Sequence, residues 1–127
     1  AVADLSFRSI RGAAKYILSL TTEKWMLALV KPQFEKAYSP SNRRDDRFNG
    51  VVSTPEDQLE ILLDLARAME EDEILIRSVM PSPLLGRKGN REFLFLLQTK
   101  GSQIEFQTVP KKGDSRSMIE EAVFPVA

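Results

Sequence analysis

The run Trp25-Met26-Leu27-Ala28-Leu29-Val30, stopped by Lys31-Pro32, constrains the fold more than any other stretch of this sequence. A segment apolar at every position has no side to turn towards water. It predicts a central strand of a parallel sheet, covered by helices on both faces. Pro32 has no N–H to donate to a ladder, so the strand ends there.

The flanking segments extend this pattern. Residues 1–6 read as a short buried strand closed by Asp4, and residues 7–20 as an amphipathic helix. In that helix Phe7, Ile10, Ala14, Ile17 and Leu18 recur at helical spacing, with Arg8, Arg11 and Lys15 on other faces. Residues 33–49 are polar and irregular, with the charge cluster Arg43-Arg44-Asp45-Asp46-Arg47, and predict a long loop. A second helix has strong start signals. Thr54 is a good N-cap, Pro55 suits the first helical position, and Glu56 and Asp57 complement the positive dipole end. The stripe Leu59, Leu62, Leu63, Ala66, Met69 carries it to about Glu70.

Residues 74–80 and 92–98 read as two further strands, separated by Pro81-Ser82-Pro83 and a glycine-bearing basic loop at 84–91. A turn at 99–102 leads to a strand at 104–109, a second turn spans 111–114, and 115–123 reads as a short terminal helix. Strands alternating with helices predict an α/β sheet with right-handed crossovers. The last strands are joined by connections too short for a crossover helix, which predicts an antiparallel pairing. The division that follows is a body at 1–100 and a hairpin strand with a short helical tail at 101–127.

Composition removes much chemistry. The 127 residues contain no cysteine and no histidine. Disulfides, thiolate nucleophiles, zinc–thiolate sites, histidine bases and Ser-His-Asp catalysis are therefore excluded within this chain. The absence of cysteine fits a reducing cytoplasm. No apolar run reaches the ~20 residues of a membrane span, and the first residues do not have the form of a signal peptide. Lys and Arg total 18, as do Asp and Glu, so the formal net charge is zero. Tight nucleic-acid binding by this chain alone is not expected, because phosphate neutralisation dominates such affinity.

Ligands of open α/β sheets sit at the carboxyl ends of the strands. Asp4 closes the first strand and Lys31 the second. Glu92 opens the strand at 92–98, and if that strand runs antiparallel its start shares an edge with the other two ends. The alternative reading is that these charges mark strand boundaries. Lys88 and Arg91 in the basic loop are weaker candidates, for contact with RNA phosphates.

Four segments then occur in a telling order: Ala3-Asp4-Leu5-Ser6-Phe7, Val30-Lys31-Pro32-Gln33-Phe34-Glu35, Asn49-Gly50-Val51-Val52, and Pro81-Ser82-Pro83 followed by Gly86-Arg87-Lys88-Gly89-Asn90-Arg91-Glu92-Phe93. Over residues 1–98 the chain resembles the TlyA-like (hemolysin-type) RNA 2′-O-methyltransferases, which are similar to the FtsJ-like enzymes with their Lys-Asp-Lys-Glu tetrad. The resemblance implies a partial Rossmann-like methyltransferase fold, the second half of the sheet, with helices packed on it. It implies that Asp4 is the tetrad aspartate, Lys31 the second lysine and Glu92 the glutamate, with the first lysine upstream of Ala1. It also implies S-adenosylmethionine as cofactor, ribosomal RNA as partner and an S4-like RNA-binding domain elsewhere in the parent protein. Lys36 to Phe48, Arg8, Arg87 and the tail from about Gly101 depart from the family pattern.

Glycines 12, 50, 86, 89, 101 and 113 form no dinucleotide-type turn. The cofactor-binding residues are therefore expected upstream of Ala1, and the 127 residues are expected to be inactive alone. The alternative is a non-catalytic remnant or interaction module that keeps the fold. Either way the edge of the strand at 1–6 is expected to be covered, by a missing N-terminal half or by a homodimer mate. A membrane-active haemolysin has no support in this sequence.

Overall fold

The computed structural model describes residues 2–4, 9–41, 48–100 and 114–125. Strands β1 (Val2–Asp4), β2 (Trp25–Val30), β3 (Ile74–Pro81) and β4 (Phe93–Thr99) form one sheet in the order β1-β2-β4-β3. β1 pairs parallel with β2, and β4 pairs antiparallel with both β2 and β3. The antiparallel pairing of β3 with β4 agrees with the short connection between them. The strand predicted at 104–109, its flanking turns at 101–102 and 111–113, and the charge cluster at 43–47 lie outside the described residues.

Helices α1 (Ala13–Leu20), α3 (Pro55–Glu71) and α4 (Ser115–Val123) supply the other layer, and a short helix α2 (Pro32–Glu35) follows β2 directly. α3 begins as its residues dictate. The Thr54 hydroxyl accepts from the Asp57 N–H at 3.1 Å, and Pro55 occupies the first turn. α4 is capped in the same way by Asp114, which accepts from the Ser117 N–H at 2.8 Å.

One core binds the layers. Ala14 and Leu18 of α1, Leu62, Leu65, Ala66 and Met69 of α3, and Ile119, Ala122 and Val123 of α4 pack on Met26, Ala28 and Val30 of β2 and on Phe93, Phe95 and Leu97 of β4. Phe93 and Phe95 are wholly buried. At about 25 cal/mol per Å² of buried apolar surface, these two rings are among the largest single contributors to the layer contact.

Three expectations are corrected. β2 is not sandwiched between parallel neighbours with both faces closed. It has a parallel partner on one side and an antiparallel one on the other, and its burial alternates, with Trp25, Leu27 and Leu29 only half-buried. The physical reason is the direction of travel. The crossovers β1-α1-β2 and β2-α3-β3 progress the same way across the sheet, so right-handedness places both helices on one face.

Among the described residues the first helix begins at Ala13, and residues 9–12, expected within it, are not helical. Gly12 has φ +72°, which no right-handed helix accommodates, and residues 9–12 form an irregular approach. Finally, the segment after Lys31 is ordered helix rather than loop. α2 is followed by a 3-10 turn at Lys36–Tyr38, and Glu35, Lys36 and Ser39 are buried.

Candidate functional site

The register brings the three sequence candidates to one edge of the sheet. Asp4, the last residue of β1, pairs with Leu29 of β2. Val30, the last residue of β2, pairs with Phe93, the first of β4, and Phe93 also pairs with Pro81 at the end of β3. Lys31 follows Val30 and Glu92 precedes Phe93 in the chain. Lys31 and Glu92 therefore flank the last pair of this ladder on the same side. The ends of β1, β2 and β3 and the start of β4 thus share this edge.

Local structure fixes the backbone there. The Lys31 carbonyl accepts from the N–H groups of Phe34 at 2.9 Å and Glu35 at 3.3 Å, so the residue that follows β2 is the N-cap of α2. Pro32 at the first helical position lacks only an N–H that would have gone unpaired there. Glu92 is anchored through its backbone, its carbonyl accepting from the Ser82 N–H at 2.8 Å. Its half-buried carboxylate accepts from Gln33 Nε2 at 3.3 Å.

The basic loop 84–91 is stitched to the segment before α3. Asn90 Oδ1 accepts from the Val52 N–H at 2.9 Å and its Nδ2 donates to the Gly50 carbonyl at 2.8 Å. Lys88 Nζ donates to the Asn49 carbonyl at 2.9 Å and stays exposed. Two of the segments singled out in the sequence, 49–52 and 86–93, are therefore neighbours in space. Arg91 faces a different direction. Its guanidinium donates to the carbonyls of Ala122 and Val123, each at 3.0 Å, and lies over the Phe93 ring at 5.3 Å from the centroid. It caps the C-terminus of α4, where cations are favoured.

Sequence reasoning missed two buried carboxylates. Glu35 accepts from Ser9 Oγ at 2.5 Å and from the Ile10 N–H at 2.7 Å, with Arg11 Nε 3.7 Å away. Burial pushes its pKa up, against the pull of those partners. Asp64, on the inner side of α3, accepts from the Ser39 hydroxyl, from the Ser41 N–H at 3.1 Å and from Arg67 at 2.8 Å. Burial opposes its ionisation, but the Ser39 and Ser41 hydrogen bonds and the Arg67 charge outweigh it and hold its pKa below the usual carboxylate value. The signal for both was present: an acidic residue at a position the apolar pattern buries must have donors nearby.

A pocket of about 250 Å³ lies at the opposite edge of the sheet, lined by residues that include Lys15, Lys24, Asp72, Glu73 and Thr99. It is remote from Lys31 and Glu92, so this hollow and the candidate chemistry do not coincide. Gly12, the glycine nearest the start of a helix that follows a strand, has no described protein atom within 4 Å of where a side chain would begin. No group of three or more carboxylates able to hold a metal ion occurs among the described residues, and no described helix is long and apolar enough to cross a membrane.

Comparison with known proteins places this architecture. No family model matches the chain. It is 30% identical over 123 residues to the Bacillus subtilis (strain 168) protein named "Putative rRNA methyltransferase YqxC", covering 96% of this chain and 42% of that protein. A solved structure titled "Putative hemolysin from Streptococcus thermophilus" superposes with a TM-score of 0.74 at 24% identity, over 98% of this chain and 40% of the other. A second, titled "The crystal structure of a putative hemolysin from Lactococcus lactis", superposes with a TM-score of 0.71 at 23% identity, over 97% of this chain and 53% of the other. The chain therefore has the fold of a part of these proteins, and spans about half or less of the length of each.

Proposed function

We propose that this chain supplies the catalytic edge of an S-adenosylmethionine-dependent ribosomal RNA ribose 2′-O-methyltransferase, and that it is inactive alone. The observation that supports the proposal is the register at the sheet edge, where Val30 pairs with Phe93, so that Lys31 and Glu92 flank the last pair of the ladder and Asp4 ends the neighbouring strand. The similarity to a protein named as an rRNA methyltransferase supports RNA as the substrate class.

In this reading Lys31, as a neutral amine, takes the proton from the attacking ribose hydroxyl and becomes the ammonium. Glu92, held by Gln33, and Asp4 orient the ammonium and the hydroxyl. S-adenosylmethionine supplies an activated methyl group when bound, so no metal is needed. The cofactor site is assigned to chain beyond these 127 residues, as is most of the RNA affinity. Lys88, exposed beside the site, is assigned a phosphate contact. Arg91 is the weaker candidate, since its guanidinium already holds α4. The reaction belongs in the cytoplasm, where ribosomal RNA is found.

β1 is the outermost strand among the described residues, and Val2 is 79% exposed. We assign its open edge to a strand of an N-terminal half; a second copy of the chain is the alternative occupant.

Calorimetric titration of the 127-residue chain with S-adenosylmethionine tests the division of labour. No measurable heat of binding is expected, whereas tight binding would place the cofactor site within this chain. Methyl transfer to ribosomal RNA by a longer polypeptide that includes this chain tests the reaction itself. If the methyl group appears on a base rather than on a ribose 2′-oxygen, the proposed role of Lys31 is wrong.

A further inference from the structure

The Glu92 carboxylate lies between two residues from opposite sides of the edge. Gln33, in the first turn of α2, donates its Nε2 to Glu92 Oε2 at 3.3 Å. Gly86, in the loop after β3, lies directly against the same group. A β-carbon added at Gly86 would overlap Oε2 and stand 2.6 Å from Cδ. Non-bonded carbon atoms settle at about 3.5–4.0 Å. Gly86 does not have a positive φ, so its backbone would accept any residue. The demand for glycine here comes from the carboxylate.

The loop is tied on both sides of this contact. The Gly86 N–H donates to the Asn90 carbonyl at 2.7 Å, and the Gly89 N–H to the Gly86 carbonyl at 3.2 Å. A side chain at position 86 would therefore move the flexible Glu92 rather than the loop. Gln33 has a second distinguishing feature. Its Oε1 is buried with no hydrogen-bond partner among the described residues. A buried acceptor left unpaired destabilises the fold. An apolar residue would suit that position better for stability, so the amide is kept for its donor to Glu92.

We infer that Gln33 and Gly86 are positioning residues, one pulling and one making room, that together fix the Glu92 carboxylate beside Lys31. The inference rests on the assignment of Glu92 to the catalytic edge. It adds the residues that set the geometry of that group. It also accounts for why Gln33 follows Lys31-Pro32 and why a glycine stands six residues before Glu92.

The test uses Gly86→Ala, Gln33→Leu and the double variant Gly86→Ala with Glu92→Asp. Crystal structures and urea unfolding of the 127-residue chain give the positions and stabilities. Methyl transfer by the complete protein that carries this chain gives kcat and KM. Both single variants should fold, with Gln33→Leu at least as stable as wild type, and both should displace the Glu92 carboxylate. A misplacement of about 1 Å is expected to lower kcat by about a hundredfold with KM for RNA unchanged. The shorter side chain introduced by Glu92→Asp should restore part of that loss in the double variant and bring no gain in the wild-type background. A carboxylate that stays in place in both single variants overturns the inference, as does an unchanged kcat. If the wild-type protein itself transfers no methyl group, the proposed function fails, while the crystal structures still decide whether these two residues position Glu92.

Discussion

The Glu35 carboxylate accepts the Ile10 N–H at 2.7 Å and so ties the approach to α1 to the end of α2, four residues beyond Lys31. This one side chain braces the connections that leave β1 and β2 at the candidate edge. Its Ser9 and Ile10 partners belong to a segment that lies outside the helices and strands. The Glu35→Ala variant should lose about 1–3 kcal/mol for each buried donor left unpaired, read from urea unfolding at pH 5. An unchanged midpoint would show that residues 9–11 are held by something else.

The same carboxylate gives a pH signature. Its folded pKa is raised by burial, so the native state holds a proton over a range where the unfolded chain does not. Its contribution to stability therefore falls as pH rises from the ordinary glutamate value of about 4.3 through the folded value. Asp64 acts in the opposite sense. Its folded pKa is lowered, so its stabilisation is present above about 3.9 and is lost as pH falls through the folded value. Urea midpoints between pH 7 and pH 3 should show wild type gaining on Glu35→Gln as pH drops from 7 to about 4.3, the ordinary glutamate value. Below pH 4 wild type should lose its advantage over Asp64→Asn. Parallel curves for wild type and either variant would remove that carboxylate from the account.

Arg91 makes a separate prediction. It donates to Ala122 and Val123 at 3.0 Å each and reaches Gln58 Oε1 at 3.4 Å, joining β4, α3 and α4 through one guanidinium. Lysine cannot reproduce that planar fork. Arg91→Lys should therefore lower amide protection across 115–123 in hydrogen exchange, while leaving protection of 93–99 near wild type. Equal loss in both segments would mean that Arg91 supports the whole core rather than the α4 terminus.

Much of this architecture is legible in the residues, for reasons that differ by element. Local chemistry suffices for α3, because the Thr54 cap, Pro55 and the leucine stripe all lie within one segment. β2 and β4 announce themselves by apolar runs bounded by polar or proline residues. The edge that gathers Lys31 and Glu92 follows from counting strands and noting one short connection. What could not be read is what tertiary context decides. Pro32 serves equally as the end of a strand and the first residue of a helix, and only the docking of Glu35 on Ile10 selects the helix. Gly12 is an ordinary residue in a helical pattern until its φ is known. Arg91 looks like one more cation in a basic loop, yet its partners are 31 and 32 positions away in sequence. The contact of Gly86 with Glu92 is equally invisible, since it depends on how two sides of a loop fold together.

Lys31 carries the sharpest functional prediction. It stands between the last residue of β2 and the first of α2, so its backbone is fixed by both elements and its substitution should leave the fold intact. Two roles can be assigned to its side chain: a proton acceptor for the ribose hydroxyl, or a fixed positive charge. Arginine preserves the charge and does not release its proton. A general-base role is worth about 10²–10⁴-fold in rate. In the complete protein, Lys31→Met and Lys31→Arg should therefore both lose about that factor in kcat for methyl transfer to ribosomal RNA, with urea midpoints close to wild type. Activity retained in Lys31→Arg but lost in Lys31→Met would assign Lys31 to charge alone, and the proton acceptor would have to be sought elsewhere at the edge shared by β1, β2 and β4.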